Sequence, residues 1–303
     1  MQPPYTSMNS EQIGKLILLS IIWGAAFLFS GMAVLYIHPL WVVTIRVTLA
    51  AMVMLVLLRM MGLYLPNSIR EWAGYLGMGL LNNAIPFSAI FYAQTHISVS
   101  LASIINTMTP VFTFLVLASF SIERLTVNRI VGALIGITGT VILFGEKFSL
   151  ADANSLGLVL SLTGALSYAF GGLWTKVFLN DQPVVKVATG QLISSSLVMI
   201  LLVSVMRIPL PEHVPPVSVV SALLALAIVS TAFAYLLFFN IIVKSGPANA
   251  SLVTLLVPIS GSFLGWLVMD DVLTGQQIFG ALVIILALLV IDGRLFVRNQ
   301  QTS

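Results

Sequence analysis

A stretch of 44 residues occurs twice in this chain, at a constant offset of 148 positions. Aligned without a gap, residues 102–145 and 250–293 share 11 identical positions, which include Pro110 with Pro258. In both copies an acidic residue stands two positions before a Leu-Thr pair. Apolar composition alone would produce several matches, but it would not hold a proline, an acidic residue and a Gly-Ala-Leu triplet in register. We therefore interpret the chain as two copies of one ancestral unit.

The composition is too apolar for a protein that presents its surface to water. Hydrophobic residues make up 59% of the 303 residues and charged residues only 8%, whereas soluble domains carry roughly 25% charged residues. Most of the surface must therefore face lipid, which predicts an all-α integral membrane protein. The net charge of +3 is small and the basic residues are not clustered, so nucleic-acid binding is not expected. The absence of cysteine excludes disulfides and thiolate metal sites.

Ten apolar stretches of about 20 residues are each long enough to cross the hydrocarbon core of a bilayer as a helix. The residues before the first stretch lack the basic segment of a cleavable signal peptide, so this stretch is expected to be retained. The approximate boundaries of the ten stretches are 13–36, 40–61, 72–93, 98–120, 126–145, 155–177, 184–206, 217–242, 247–269 and 274–297.

The distribution of lysine and arginine predicts the orientation in the membrane. With a cytoplasmic N-terminus, ten of the 13 basic residues fall on the cytoplasmic side, and only Lys147 and Arg207 fall on the opposite side. The remaining basic residue, Arg46, lies inside the second span. Because cytoplasmic loops carry the excess of positive charge, we expect both termini in the cytoplasm.

Ten spans in two copies give five spans per copy. Because five is an odd number, the second copy enters the membrane upside down relative to the first. We therefore expect two inverted five-helix repeats, over residues 13–145 and 155–297. Inverted repeats are typical of secondary transporters, in which the substrate site lies near the bilayer midplane between the two halves.

Two motifs near the N-terminus resemble EamA-type members of the drug/metabolite transporter superfamily. Trp23-Gly24-Ala25-Ala26-Phe27 is similar to the WG-x-x-F signature of their first helix. Pro39 followed by Arg46 is similar to the P-x(6)-R start of their second helix.

The repeated stretch resembles the end of the repeat unit of the same family, and the likeness extends over about residues 13–297. The order of the motifs and their duplication identify the chain as a member more strongly than any single motif does. The motifs are Pro110, Glu123-x-Leu-Thr and Gly132 in the first copy, and Pro258, Asp271-x-Leu-Thr and Gly280 in the second.

The resemblance implies a ten-helix transporter in the bacterial inner membrane that exports small metabolites, often amino acids, by alternating access. Its partners would be a small-molecule substrate and the lipid bilayer, and its oligomeric state is left open. Alternatives with the same fold are a lipid flippase and a drug exporter, and the alternative outside carriers is a membrane scaffold or receptor. All acidic residues and histidines fall at span ends or in loops. This distribution leaves no catalytic or metal-binding set at depth, so we expect no enzyme activity, cofactor or metal.

Polar side chains inside the spans are candidates for the substrate site, because polar groups within lipid need partners or a water-filled cavity. Arg46 lies about two turns into the second span, where it binds a substrate carboxylate or has a structural role such as snorkelling. Asn82, Asn83, Asn106 and Gln191 carry amides that can donate to and accept from a metabolite. The alternative for the amides is hydrogen bonding between helices.

Aromatic residues within the spans form the second group of candidates, since a cavity lined by rings suits apolar or aromatic groups. Packing against lipid or protein is the alternative for each of them. These candidates are Trp23, Phe87, Tyr92, Tyr168 and Tyr235. Proline removes a backbone hydrogen bond within a helix, so helix bends are expected at Pro86, Pro110 and Pro258.

Overall fold

The computed structural model describes residues 8–66, 68–122, 126–144, 153–179 and 182–292, and over these ranges it is helical without any β-strand. The all-α prediction is therefore confirmed. The first half contains α1 (Ser10–Val34), α2 (Pro39–Met60), α3 (Ile69–Gly79), a π-helical segment (Leu80–Ala84), α4 (Ile85–Ala93), α5 (Val99–Asn106), α6 (Thr109–Ser119) and α7 (Val127–Phe144).

The second half follows the same order of elements, including a π-helical segment in the third of its spans. It contains α8 (Ala153–Phe178), α9 (Val184–Val205), α10 (Val217–Leu224), a π-helical segment (Ala225–Phe233), α11 (Ala234–Ser245), α12 (Pro247–Ala250), α13 (Val253–Met269) and α14 (Gly275–Asp292).

Seven helical stretches in the described part of the chain are long and apolar enough to cross a membrane. They are Ser10–Val34, Pro39–Met60, Ile69–Ala93, Val99–Ser119, Asn154–Phe178, Val184–Val205 and Val217–Ser245. Three shorter apolar helices lie where the sequence predicts the fifth, ninth and tenth spans. The membrane character is thus confirmed, and the count of ten spans stays a prediction. Most of the expected connection at 146–154, Glu123 and the chain after residue 292 lie outside the described residues.

Local sequence signals set where the helices begin and end. Asn9 caps α1, because its side-chain oxygen accepts a hydrogen bond from the backbone nitrogen of Gln12 at 2.9 Å. Ser98 caps α5 in the same way. Pro39 begins α2, where its missing N–H has no helical partner to lose. The helix α11 ends at Ser245, and the C-cap residue Gly246 has a φ of +83° that glycine adopts at little cost.

Small residues bring α7 and α14 together in the most extensive helix pair of the described residues. A Cβ atom added to Gly132 would lie 2.9 Å from the carbonyl oxygen of Ala287, and one added to Gly139 would lie 3.0 Å from that of Gly280. Close backbone approach of this kind is how helices associate within lipid. The two contacts are equivalent in the repeat. Adding 148 to the number of Gly132 gives Gly280, and subtracting 148 from that of Ala287 gives Gly139.

The close approach of α1 and α13 also has an equivalent contact in the other half, found by the same shift of 148 positions. A Cβ atom added to Gly24 would lie 2.7 Å from the backbone nitrogen of Gly261. The equivalent pair is Gly172 in α8 and Thr113 in α6. A Cβ atom added to Gly172 would lie 3.6 Å from the methyl group of Thr113. When a contact between position i of one copy and position j of the other recurs with the two copies interchanged, the copies are related as by a two-fold axis.

One hydrogen bond joins a residue to its own equivalent in the other half. The hydroxyl oxygens of Thr48 in α2 and Ser196 in α9 lie 2.7 Å apart, and the two positions differ by 148. A position that contacts its own equivalent must lie beside the axis that relates the two copies. The helices α2 and α9 therefore meet at the centre of the bundle.

The packing predicts that Gly24→Ala lowers the melting temperature of the purified protein. The added methyl group would overlap the hydroxyl oxygen of Ser260 and the backbone of Gly261, and overpacking of this kind costs about 1–3 kcal/mol. Gly14→Ala in the same helix is the matched control, because no atom lies within 4 Å of its added Cβ atom. Thermal unfolding in detergent gives the comparison, and equal melting temperatures for the two variants would contradict the packing.

Candidate functional site

A cavity of about 480 Å³ lies within the bundle, and spans of both halves contribute to its wall. Its wall is formed by residues of the first four predicted spans and of the sixth to ninth predicted spans. No residue of α7 or α14 is part of the described wall. The two helices of the most extensive pair thus support the bundle from outside the cavity.

The cavity brings together most of the residues that the sequence singles out. Their positions are spread from the first to the eighth predicted span, so the fold collects them from distant parts of the chain. The predicted residues on the wall are Trp23, Arg46, Asn82, Phe87, Asn106, Tyr168, Gln191 and Tyr235. Their roles in binding stay predictions.

Two predicted cavity residues do not lie on this wall. Asn83 is fully buried behind the wall, where it donates to the Ser195 hydroxyl at 3.4 Å and accepts from the Tyr235 hydroxyl at 3.3 Å. It therefore connects three helical segments instead of facing the cavity.

Tyr92 is 42% exposed near the end of α4 and lies between the rings of His38 and His96. Its position is at the edge of the bundle and not in the cavity. Burial lowers the pKa of His38, which lies in the connection between α1 and α2. Near neutral pH this shift favours the neutral form of its imidazole.

The three prolines lie at different points of their helices. Pro86 is the second residue of α4, directly after the first π-helical segment, and Pro110 is the second residue of α6. Pro258 lies inside α13. The residues next to the last two, Thr109 and Val257, are part of the cavity wall. Bending at these prolines during transport stays a prediction.

The π-helical segments are a feature that the sequence does not reveal. Shifted by 148 positions, residues 80–84 fall on residues 228–232, which lie within the second segment, 225–233. Such segments are frequent at functional sites. Here they carry Asn82, Ser230 and Thr231 to the cavity wall. At the first segment the sequence marks the neighbouring asparagines before Pro86 as cavity candidates, but it does not indicate π-helical geometry.

Arg46 is the charged residue of the cavity wall, and it is 7% exposed. Its Nε donates to the Thr231 hydroxyl at 3.0 Å, and its guanidinium carbon lies 3.7 Å from the centroid of the Phe87 ring. Stacking on a ring stabilises a cation more strongly when water is excluded. Among the described residues, no carboxylate forms a salt bridge with this guanidinium.

Neutral polar groups share the wall with the arginine. The amide of Asn82 donates to Gln191 at 3.4 Å. The amide oxygen of Asn106 and the hydroxyl of Thr109 are buried and have no hydrogen-bond partner in the described part of the chain. Buried acceptors without partners are uncommon in native proteins.

Aromatic rings form much of the remaining wall. The Trp23 ring lies 5.2 Å from that of Phe238, and the Tyr235 ring lies 5.8 Å from that of Phe239. Neither Phe238 nor Phe239 is a sequence candidate, because the 17 phenylalanines of the chain give no local signal of which face the cavity. The rings make the site suited to an apolar or aromatic group.

The two ends of the bundle differ. We call the end at which α1 begins the near end, where Lys15 donates to Asn240 in the last turns of α11 at 2.9 Å. The cavity wall extends to Ile242 in the same turns and to Val184, the first residue of α9, which is 38% exposed. The cavity wall therefore extends to the near end of the bundle.

The far end, at which α1 ends, is closed by polar contacts that are buried or partly buried. The Ser30 hydroxyl donates to the Gln94 side-chain oxygen at 2.7 Å, and the Gln94 amide donates to the carbonyl oxygen of Phe27 at 2.8 Å. The Asp271 carboxylate accepts from the backbone nitrogen of Ser100 at 2.8 Å and from its hydroxyl at 2.9 Å. Asp271 thereby joins the end of α13 to the start of α5.

Comparison with known proteins identifies the family. The model of the EamA-like transporter family matches residues 13–145 and again residues 155–292. The chain belongs to the EamA-like transporter family. The resemblance seen in the sequence motifs is thus confirmed, and the chain is a multi-pass membrane protein.

Curated relatives match most of the length of the chain. Protein PecM of Dickeya dadantii is 26% identical over 93% of this chain and 93% of its own. The uncharacterized transporter YoaV of Bacillus subtilis is 24% identical over 89% and 92%, respectively. A probable amino-acid metabolite efflux pump of Salmonella typhimurium is 24% identical over 90% and 92%. One solved crystal structure superposes with a TM-score of 0.67 at 19% identity, over 96% of this chain and 100% of the other, and this likeness shows the fold.

The contact between Asp271 and Ser100 at the far end predicts that Asp271→Asn lowers the melting temperature of the purified protein. The substitution removes the charge that accepts two hydrogen bonds from Ser100, and hydrogen bonds to charged groups contribute about 1.5–3 kcal/mol. Asp270→Asn is the matched control, because Asp270 is exposed and its left-handed backbone suits asparagine. An Asp271→Asn variant as stable as Asp270→Asn would contradict the contact.

Proposed function

We propose that the protein is a secondary transporter that exports small organic metabolites, amino acids or related compounds, by alternating access. Membership of a transporter family gives the class of activity. The observation that carries the proposal is the cavity between the halves, which reaches the near end and stops below the closed far end. A binding site open to one side at a time is what alternating access requires. The name of the Salmonella relative supports amino-acid metabolites as substrates.

The proposed topology has ten spans in two inverted five-helix repeats, over residues 13–145 and 155–297. The exchange of helix contacts at an offset of 148 supports a two-fold relation between the halves. The excess of lysine and arginine on one side supports cytoplasmic termini in the bacterial inner membrane. With this orientation the near end is cytoplasmic, and the cavity would receive its substrate from the cytoplasm.

The orientation predicts opposite labelling of two single-cysteine variants in whole bacteria. The chain has no cysteine of its own, so each variant carries a single reactive thiol. Val214→Cys, at a position that is 91% exposed between α9 and α10, should react with a membrane-impermeant maleimide in intact cells. Ile69→Cys, at a position that is 86% exposed at the start of α3, should react only after permeabilisation. The reverse pattern would contradict cytoplasmic termini.

The transport activity predicts counterflow in proteoliposomes at equal pH on both sides. Vesicles preloaded with mixed amino acids and organic carboxylates should take up a labelled member of the mixture by exchange. Protein-free vesicles of the same lipid are the control. Exchange without a proton gradient would establish a carrier, whereas no exchange with any component would contradict metabolite export and favour the flippase or drug-exporter alternatives.

A further inference from the structure

We propose that the preferred substrate is a small organic anion with an apolar or aromatic body and no ammonium group. This inference rests on the proposed transport function and, within the compounds named there, favours related carboxylates over the amino acids themselves. A free amino acid carries both an ammonium and a carboxylate, so it would bind more weakly than the related carboxylate without the amine.

The charges of the cavity wall support an anion. Arg46 is the one charged side chain among the described residues of the wall. A buried charge without a partner is costly, and the free energy of an arriving carboxylate or similar anion would offset part of that cost. A substrate ammonium would instead add a second positive charge to the same enclosed space.

The acidic side chains that the structure describes are all engaged or exposed elsewhere. Glu11 pairs with Lys15, and the Glu71 carboxylate accepts from Gln182. Asp271 binds Ser100 at the far end, and Glu212 and Asp270 are exposed. None of them is part of the cavity wall. The described wall therefore offers no carboxylate to pair with an ammonium.

The guanidinium of Arg46 is oriented for an anion. Its Nε is occupied by Thr231, and its face lies on Phe87. The two Nη nitrogens, which carry four of the five N–H donors, make no hydrogen bond to the described residues. They can form the paired hydrogen bonds with which arginine binds carboxylates and phosphates.

The rest of the wall is suited to a neutral, largely apolar body. Rings of Trp23, Tyr168 and Tyr235 face the same cavity as the arginine, and its volume of about 480 Å³ lies within the usual range for small ligands. The amide side chains of Asn82, Asn106 and Gln191 on the same wall are neutral. They carry no charge that would offset an ammonium.

A series of four probes that differ mainly in charge tests the substrate class. The probes are 3-phenylpropionate, phenylalanine, phenethylamine and 3-phenylpropanamide, and their dissociation constants are measured with the purified full-length protein by isothermal titration. We expect 3-phenylpropionate to bind about tenfold or more tightly than each of the other three, since one charge-assisted hydrogen bond contributes that much. Equal or tighter binding of phenylalanine or phenethylamine, or no binding of 3-phenylpropionate, would overturn the proposal.

Variants of Arg46 assign the preference to its charge. Arg46→Gln should bind the carboxylate and the amide with similar dissociation constants, and Arg46→Lys should retain part of the preference because it retains the charge. Arg59→Gln, at a position outside the cavity wall, is the matched control and should bind like the unaltered protein. Thermal unfolding of each variant verifies that it is folded, and an Arg46→Gln variant that is folded and keeps the full preference would contradict the assignment.

Binding and transport separate this inference from the proposed function. If 3-phenylpropionate binds with the expected preference but no counterflow occurs, the transport proposal fails and the substrate class holds. If counterflow occurs and phenylalanine is exchanged in preference to 3-phenylpropionate, the transport proposal holds and the substrate class fails.

Discussion

Polar side chains in the middle of an apolar bundle are the constraint on which this structure depends. Lipid cannot solvate such groups, so each must find a partner in the protein or face a cavity. Several of them find their partners across the boundary between the halves. The partners are Arg46 with Thr231, Thr48 with Ser196, Asn82 with Gln191, and Asn83 with Ser195. The cavity thus lies where the two copies of the repeat meet, and polar side chains of both copies meet there.

The duplication gives the two halves equivalent helix contacts, although the two ends of the bundle differ. The pair of α7 and α14 exchanges its contacts through the offset of 148 and lies outside the cavity. The ends do not share this equivalence, since the far end is closed by Gln94 and Asp271, while the cavity wall extends to Ile242 at the near end. Under the proposed function, near-equivalent halves with one closed end are one state of a transporter whose two ends open in turn.

The sequence predicted the helices and the cavity residues unequally, for physical reasons. Apolar length is a local property of the chain and gave the helical membrane fold correctly, while the order of the motifs and their duplication gave the family correctly. Orientation about a helix axis is different, because the π-helical segment at 80–84 changes the helical period. Neighbouring residues of a helix also point in different directions, and of the two asparagines Asn82 lines the cavity while Asn83 lies behind it. Phe238 lines the cavity through the packing of α11 against α1, which the sequence around it does not reveal.

An experimental structure of the protein with 3-phenylpropionate bound tests the central claim most directly. The claim is that Arg46, held by Thr231 and Phe87, is the anion-binding group of a single cavity shared by both halves. The claim predicts density for the ligand inside the cavity, with its carboxylate within hydrogen-bonding distance of the Arg46 Nη atoms. A carboxylate bound elsewhere, or a side-chain carboxylate of the protein paired with Arg46, would contradict it.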